Sequence, residues 1–272
     1  MIDEAQGRID YEESGSGPAI VLLPGSCSTG AAWRPVIAAW GDQFRTVTTS
    51  LLGYGGTGER RTAGDSSNSR NAKAMESVIR RAGGRVHLVG HSFGGLVALA
   101  VALRNRVSLA SLVVIEAPAV DILRERKEHQ HYQAFRRMTD AYFADYAVGN
   151  VEAIAAMIDF YGGAGTFASW PPRLRACAVE TTPVNILDWA GGYGFLLSEA
   201  SLATLKIPLL VICGGASPAA VQCANALLCE LTPNATLATI DGGAHFVIAT
   251  HAVEIASHIA AHVHRAEAES PA

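Results

Sequence analysis

The 272-residue chain has little of what would commit it to a membrane, a nucleic acid or a disulfide scaffold. Its five cysteines, Cys27, Cys177, Cys213, Cys223 and Cys229, are odd in number and lack C-x-x-C or other metal-ligand spacing, so they read as reduced packing residues. Lys and Arg never form a run, and the formal net charge of −4 argues against nucleic acid or an anionic membrane as partner. No apolar run approaches the roughly 18 residues that a bilayer requires. The opening MIDEAQGRID has neither a basic n-region nor an apolar h-region. The expectation is a soluble, cytoplasmic protein that acts on a small molecule. The glycines of Leu51 to Gly58 come without G-K-[ST] and without G-x-G-x-x-G spacing, which argues against a nucleotide loop. His129 and His131, two apart, do not share a helix face, so metal ligation is not expected there; no organic cofactor is expected either.

What the chain does have is 49% hydrophobic content, enough for one large core or a core plus a subdomain. Its most informative stretch is Arg85 to Gly95, RVHLVGHSFGG. Val86 to Val89 reads as a buried strand, and Leu96 to Ala100 opens a strong helix former. Between them lies G-x-S-x-G, Gly90 to Gly94, which sets Ser92 on a tight strand-to-helix turn. Glycine two residues to either side lets backbone approach where a side chain would block it.

In this context the sequence resembles the α/β-hydrolase superfamily over nearly its whole length. The resemblance implies a mostly parallel central sheet flanked by helices, with an inserted helical cap. Residues 1–117 and 206–272 would form the core, and 118–205 the cap. A serine hydroxyl is a weak nucleophile and needs a base, which in turn needs an acid. His245, in the short loop after the last expected strand (Ala235 to Ile240), matches the family's late histidine. Most relatives place the acid after the strand that here ends at Cys213, but Gly214 to Pro218 holds no carboxylate. Some branches, haloalkane dehalogenases among them, place it one strand earlier, where this chain has Glu116. Asp241 is the competing acid. The family's oxyanion hole uses the amide after the nucleophile and one after the first core strand, here Phe93 and Ser26. Pro24 stands where that loop usually carries histidine.

From Pro118 the period changes. Asp121 to Tyr146 reads as one long helix and Val151 to Tyr161 as a second. An aromatic, Gly/Pro-rich stretch follows, in which Tyr161, Trp170 and Trp189 are candidates for a partly apolar substrate pocket in the implied cap. The activity that the resemblance implies is hydrolysis of a small carboxylic ester or related acyl compound through an acyl-enzyme. A carbon–carbon bond hydrolase or a hydroxynitrile lyase could use the same three residues. A non-catalytic small-molecule-binding protein on this fold is the alternative of another class.

Overall fold

The structure, a computed structural model, describes residues 1–4 and 7–269. β1 (Ile2–Glu4) and β2 (Gly7–Ile9) form a small antiparallel pair, and β3 (Glu12–Ser14) joins the main sheet. β4 (Ala19–Leu23) leads through a 3₁₀ turn, Gly30–Trp33, to α1 (Arg34–Trp40). β5 (Arg45–Thr48) and α2 (Asn68–Ala82) follow, then β6 (Val86–His91), α3 (Phe93–Arg104) and β7 (Leu109–Ile115). A helical insertion comes next: α4 (Val120–Glu125), α5 (His129–Ala147), α6 (Ile154–Gly162), α7 (Thr166–Ser169), α8 (Pro172–Glu180), α9 (Thr182–Tyr193) and α10 (Glu199–Leu202). The chain then returns through β8 (Leu209–Gly214), α11 (Ala219–Leu231), β9 (Ala235–Ile240), α12 (Val247–Thr250) and α13 (Ala252–Ala268).

The main sheet has strand order β3-β5-β4-β6-β7-β8-β9, parallel except where β3 pairs with β5. Its central strands read as unbroken apolar runs because both faces are covered. Alternation splits each strand between two cores. Val21, Leu23, Leu88 and Val114 pack on the side of α2, α3 and the insertion. Ile20, Leu22, Val89 and Val113 pack with Trp33 and Trp40 under α13. Full burial of a leucine such as Leu22 stabilises by about 2 kcal/mol. Trp40 also donates its indole N–H to the Ala256 carbonyl at 2.8 Å, tying α1 to α13.

Arg8 and Glu13 lie in different strands, β2 and β3, which pair with different partners. The single helix expected over Asp121 to Tyr146 is broken at Arg126–Glu128, where Lys127 takes φ 61° and Glu128 N–H turns back to the Leu123 carbonyl. At the carboxyl end α13 runs to Ala268; 270–272 lie outside the described residues.

Candidate active site

The site is assembled at the carboxyl ends of the parallel strands, where open α/β sheets hold their ligands. Ser92 joins β6 to α3 with φ 53° and ψ −127°, a conformation that L side chains rarely adopt. The close packing of this turn is why its flanks are glycine. A Cβ on Gly90 would lie 2.3 Å from the Gly94 carbonyl oxygen, and one on Gly94 would lie 2.3 Å from that of Pro24. Ser92 N–H donates to the Ile115 carbonyl at 2.8 Å, which fixes the turn to the neighbouring strand.

His245 sits five residues past β9 and is 3% exposed. Its Nε2 lies 2.9 Å from Ser92 Oγ, and its Nδ1 lies 3.0 Å from Glu116 Oε2. Glu116, fully buried and at φ 54°, follows β7 directly. A carboxylate so buried is costly unless hydrogen bonds surround it. Here its second oxygen accepts the Gly214 amide at 2.6 Å and the Ser217 hydroxyl at 2.9 Å. Burial pushes the carboxyl up, but His245 and the Gly214 amide outweigh it and hold the group below the usual carboxylate range. The loop after β8 therefore supplies donors to a carboxylate on the preceding strand. Asp241, by contrast, is exposed, and the His245 Nδ1 is already engaged by Glu116.

His91, next to Ser92, points away from its hydroxyl and engages the His245 carbonyl at 2.8 Å through Nε2. Burial first, and repulsion from His245 second, push its pKa down to about 3. That ring is neutral, with the proton on Nε2 facing the carbonyl. Tyr161 stacks on the His245 ring, ring centroids 3.9 Å apart at 27°.

Ser26 and Phe93 line the same cavity as Ser92. Among the described residues neither backbone amide donates to a protein acceptor, which leaves both available to an oxyanion. A Cβ on Gly25 would come within 3.0 Å of Ser92 Cβ, a measure of how closely this loop approaches. A cavity of about 460 Å³ opens over Ser92, with Tyr161, Trp170 and Trp189 among its walls, together with Met157 and Phe246.

One cluster was not read from the sequence. Asp188 on α9, 1% exposed, accepts the Arg61 guanidinium at 2.5 Å, the Tyr54 hydroxyl at 2.6 Å and the Ser26 hydroxyl at 2.5 Å. Burial raises its pKa above the usual carboxylate value against the opposing pull of Arg61, Ser26 and Tyr54. The available signal was the spacing of Asn185, Asp188, Trp189 and Gly192, one helix face that lines the cavity and carries a carboxylate among apolar neighbours. Among the described residues, one group of side chains has metal-donor spacing: Glu128, His131 and Cys223. It lies outside the cavity lining, and its exposed glutamate makes it a weak claim on an ion.

Comparison with known proteins places the chain in a family. Residues 20–258 match the model of the alpha/beta hydrolase family. The chain belongs to the alpha/beta hydrolase family. It is similar to a provisionally named carbamate hydrolase, RutD, of Agrobacterium fabrum, 34% identical over 114 residues, 42% of each chain. In that alignment the chain spans about two fifths of the relative's length. A protein of the same name from Stutzerimonas stutzeri is 25% identical over 255 residues, 89% of this chain and 88% of the relative. Among solved structures, one described as "Est816 as an N-Acyl homoserine lactone degrading enzyme" superposes with a TM-score of 0.77 at 18% identity, covering 96% of this chain and 98% of its own. That likeness shows the shared fold. No helix among the described residues is long and apolar enough to cross a membrane.

Proposed function

We propose that the chain is a serine hydrolase that cleaves a small carboxylic ester or related acyl compound through an acyl-enzyme. The observation that carries this reading is the continuous hydrogen-bonded series Ser92–His245–Glu116 at the floor of a largely apolar cavity. In the reading, Ser92 Oγ attacks the substrate carbonyl carbon and its proton passes to His245 Nε2. Glu116 holds the ring by Nδ1 and stabilises the imidazolium. The Ser26 and Phe93 amides take the negative charge on the carbonyl oxygen. Collapse of the tetrahedral species breaks the bond to the leaving group, which takes the proton from His245. Water, deprotonated by the same imidazole, then attacks the acyl-enzyme and releases the acid and Ser92.

The helical insertion between β7 and β8 serves as the cap, and its Tyr161, Trp170 and Trp189 set which acyl group fits. A cavity of about 460 Å³ is within the range for small-molecule sites and suits a compact, partly apolar substrate. The name carried by the curated relatives makes carbamates a natural part of the acyl compounds to be screened.

The decisive experiment is intact-mass measurement after incubation with a fluorophosphonate, comparing wild type with Ser92→Ala. One adduct on wild type and none on the variant is expected, followed by turnover in a panel of short-chain esters and carbamates. Absence of an adduct on folded wild type would overturn the reading in favour of a binding protein.

A further inference from the structure

The serine-hydrolase reading leaves open what holds the Ser26 amide in place. The loop that carries it, Pro24 to Thr29, follows directly from the end of β4. Pro24 cannot donate a backbone hydrogen bond. Downstream, Cys27 takes φ 58°, a left-handed conformation that a non-glycine residue keeps only when its surroundings hold it. The available hold on the side chain of Ser26 is its hydroxyl, which donates to Asp188 Oδ2 at 2.5 Å.

Asp188 is itself rigidly placed. Its other oxygen accepts Arg61, whose side chain is fully buried and also bonds the Leu52 carbonyl at 3.0 Å and both oxygens of Glu59. Tyr54 donates to the oxygen that Ser26 uses. Arg61, Glu59 and Tyr54 all come from the loop between β5 and α2, whereas Asp188 comes from the helical insertion. The carboxylate thus joins three segments: the insertion, the β5–α2 loop and the loop after β4.

We propose that Asp188 is a positioning residue for the oxyanion hole: through the Ser26 hydroxyl it fixes the direction of the Ser26 amide, so that the helical insertion completes the catalytic machinery of the core. The inference rests on the serine-hydrolase reading. Asp188 touches no reacting atom in this scheme. Its effect passes through one hydroxyl, and loss of that hydroxyl leaves the amide chemically intact but free to turn.

The test is a double-mutant cycle of Ser26→Ala and Asp188→Asn, read as kcat and KM on an activated acetate ester and as the rate of fluorophosphonate adduct formation. Each single variant is expected to lower kcat about 10- to 100-fold, less than outright loss of a donor, with KM within about twofold. The double variant should be no slower than the slower single one, because both changes release the same amide. Ser26→Thr, which keeps a hydroxyl, should recover most of the rate. Wild-type kcat in Ser26→Ala would overturn the proposal, as would losses that multiply in the double variant. Should Asp188→Asn not fold, the contrast of Ser26→Ala with Ser26→Thr decides alone. Failure of the underlying reading is separable, since wild type would then take no adduct at all.

Discussion

His91 Nε2 donates to the backbone carbonyl of His245 at 2.8 Å, so the residue beside Ser92 holds the loop that carries His245. The cost is sensitivity to acid. An unfolded histidine takes up its proton near pH 6.5, whereas folded His91 resists until about pH 3. Between those values the unfolded chain binds more protons, so stability is fully present above pH 6.5 and is lost as pH falls through the window. The lowered pKa of His262, about 4 and again caused chiefly by burial, acts in the same direction. Urea midpoints at pH 7.5, 5.5 and 4.5 should fall steeply for wild type. They should fall less for His91→Gln, whose amide can still donate to the carbonyl. The His91 share is on the order of a few kcal/mol by pH 4.

Replacing Glu116 by Gln removes the charge that stabilises the imidazolium and allows the amide to face His245 with its wrong end. Turnover should drop about 10³- to 10⁴-fold while the melting profile stays cooperative. Ser217→Ala, which removes one of the donors to Glu116, should cost far less, about 3- to 10-fold. Steady-state rates beside circular dichroism of each variant check both statements. A Glu116→Gln protein with near-normal turnover would remove Glu116 from the mechanism.

Tyr161 contributes through its ring face. Tyr161→Phe keeps the stack on His245 and should stay within about threefold of wild-type kcat/KM, whereas Tyr161→Ala should lose about tenfold as the imidazole gains freedom. Equal rates for all three proteins would show that the contact is incidental.

Gly94 tests the turn itself. A methyl group there meets the carbonyl oxygens of Pro24 and Leu23, backbone atoms that cannot swing aside. Gly94→Ala should therefore lower the thermal midpoint by several degrees and abolish adduct formation at Ser92 in whatever fraction remains folded. An unchanged midpoint would mean that the elbow is looser than its contacts imply.

The sequence displayed this site unevenly, and the reason is range. Ser92 was legible because strand, elbow and helix are adjacent in the chain and the elbow's geometry demands glycine at fixed offsets. Glu116 and His245 were legible through the family resemblance, which implies a histidine after the last strand and, in some branches, an acid one strand before its usual place; the structure brings both to Ser92 in one hydrogen-bonded series. The Asp188 cluster was not, since its partners Arg61 and Ser26 lie 127 and 162 residues away and no local pattern encodes the meeting. The break at Lys127 was equally silent: neither glycine nor proline marks it, and tertiary packing of α4 and α5 overrides a helical period.

His245, finally, follows an edge strand of the sheet. β9 has a neighbour on one side only, and Leu237 on it is 45% exposed, yet the segment that follows delivers His245. On warming, an edge strand detaches at lower free energy than the strands inside it. Working life and melting point should accordingly part company: the catalyst goes silent while most of its fold is intact, and recovers on cooling if the margin re-docks. Bracing that border, for instance by immobilisation through the face of β9, would extend endurance without touching the speed of a single turnover.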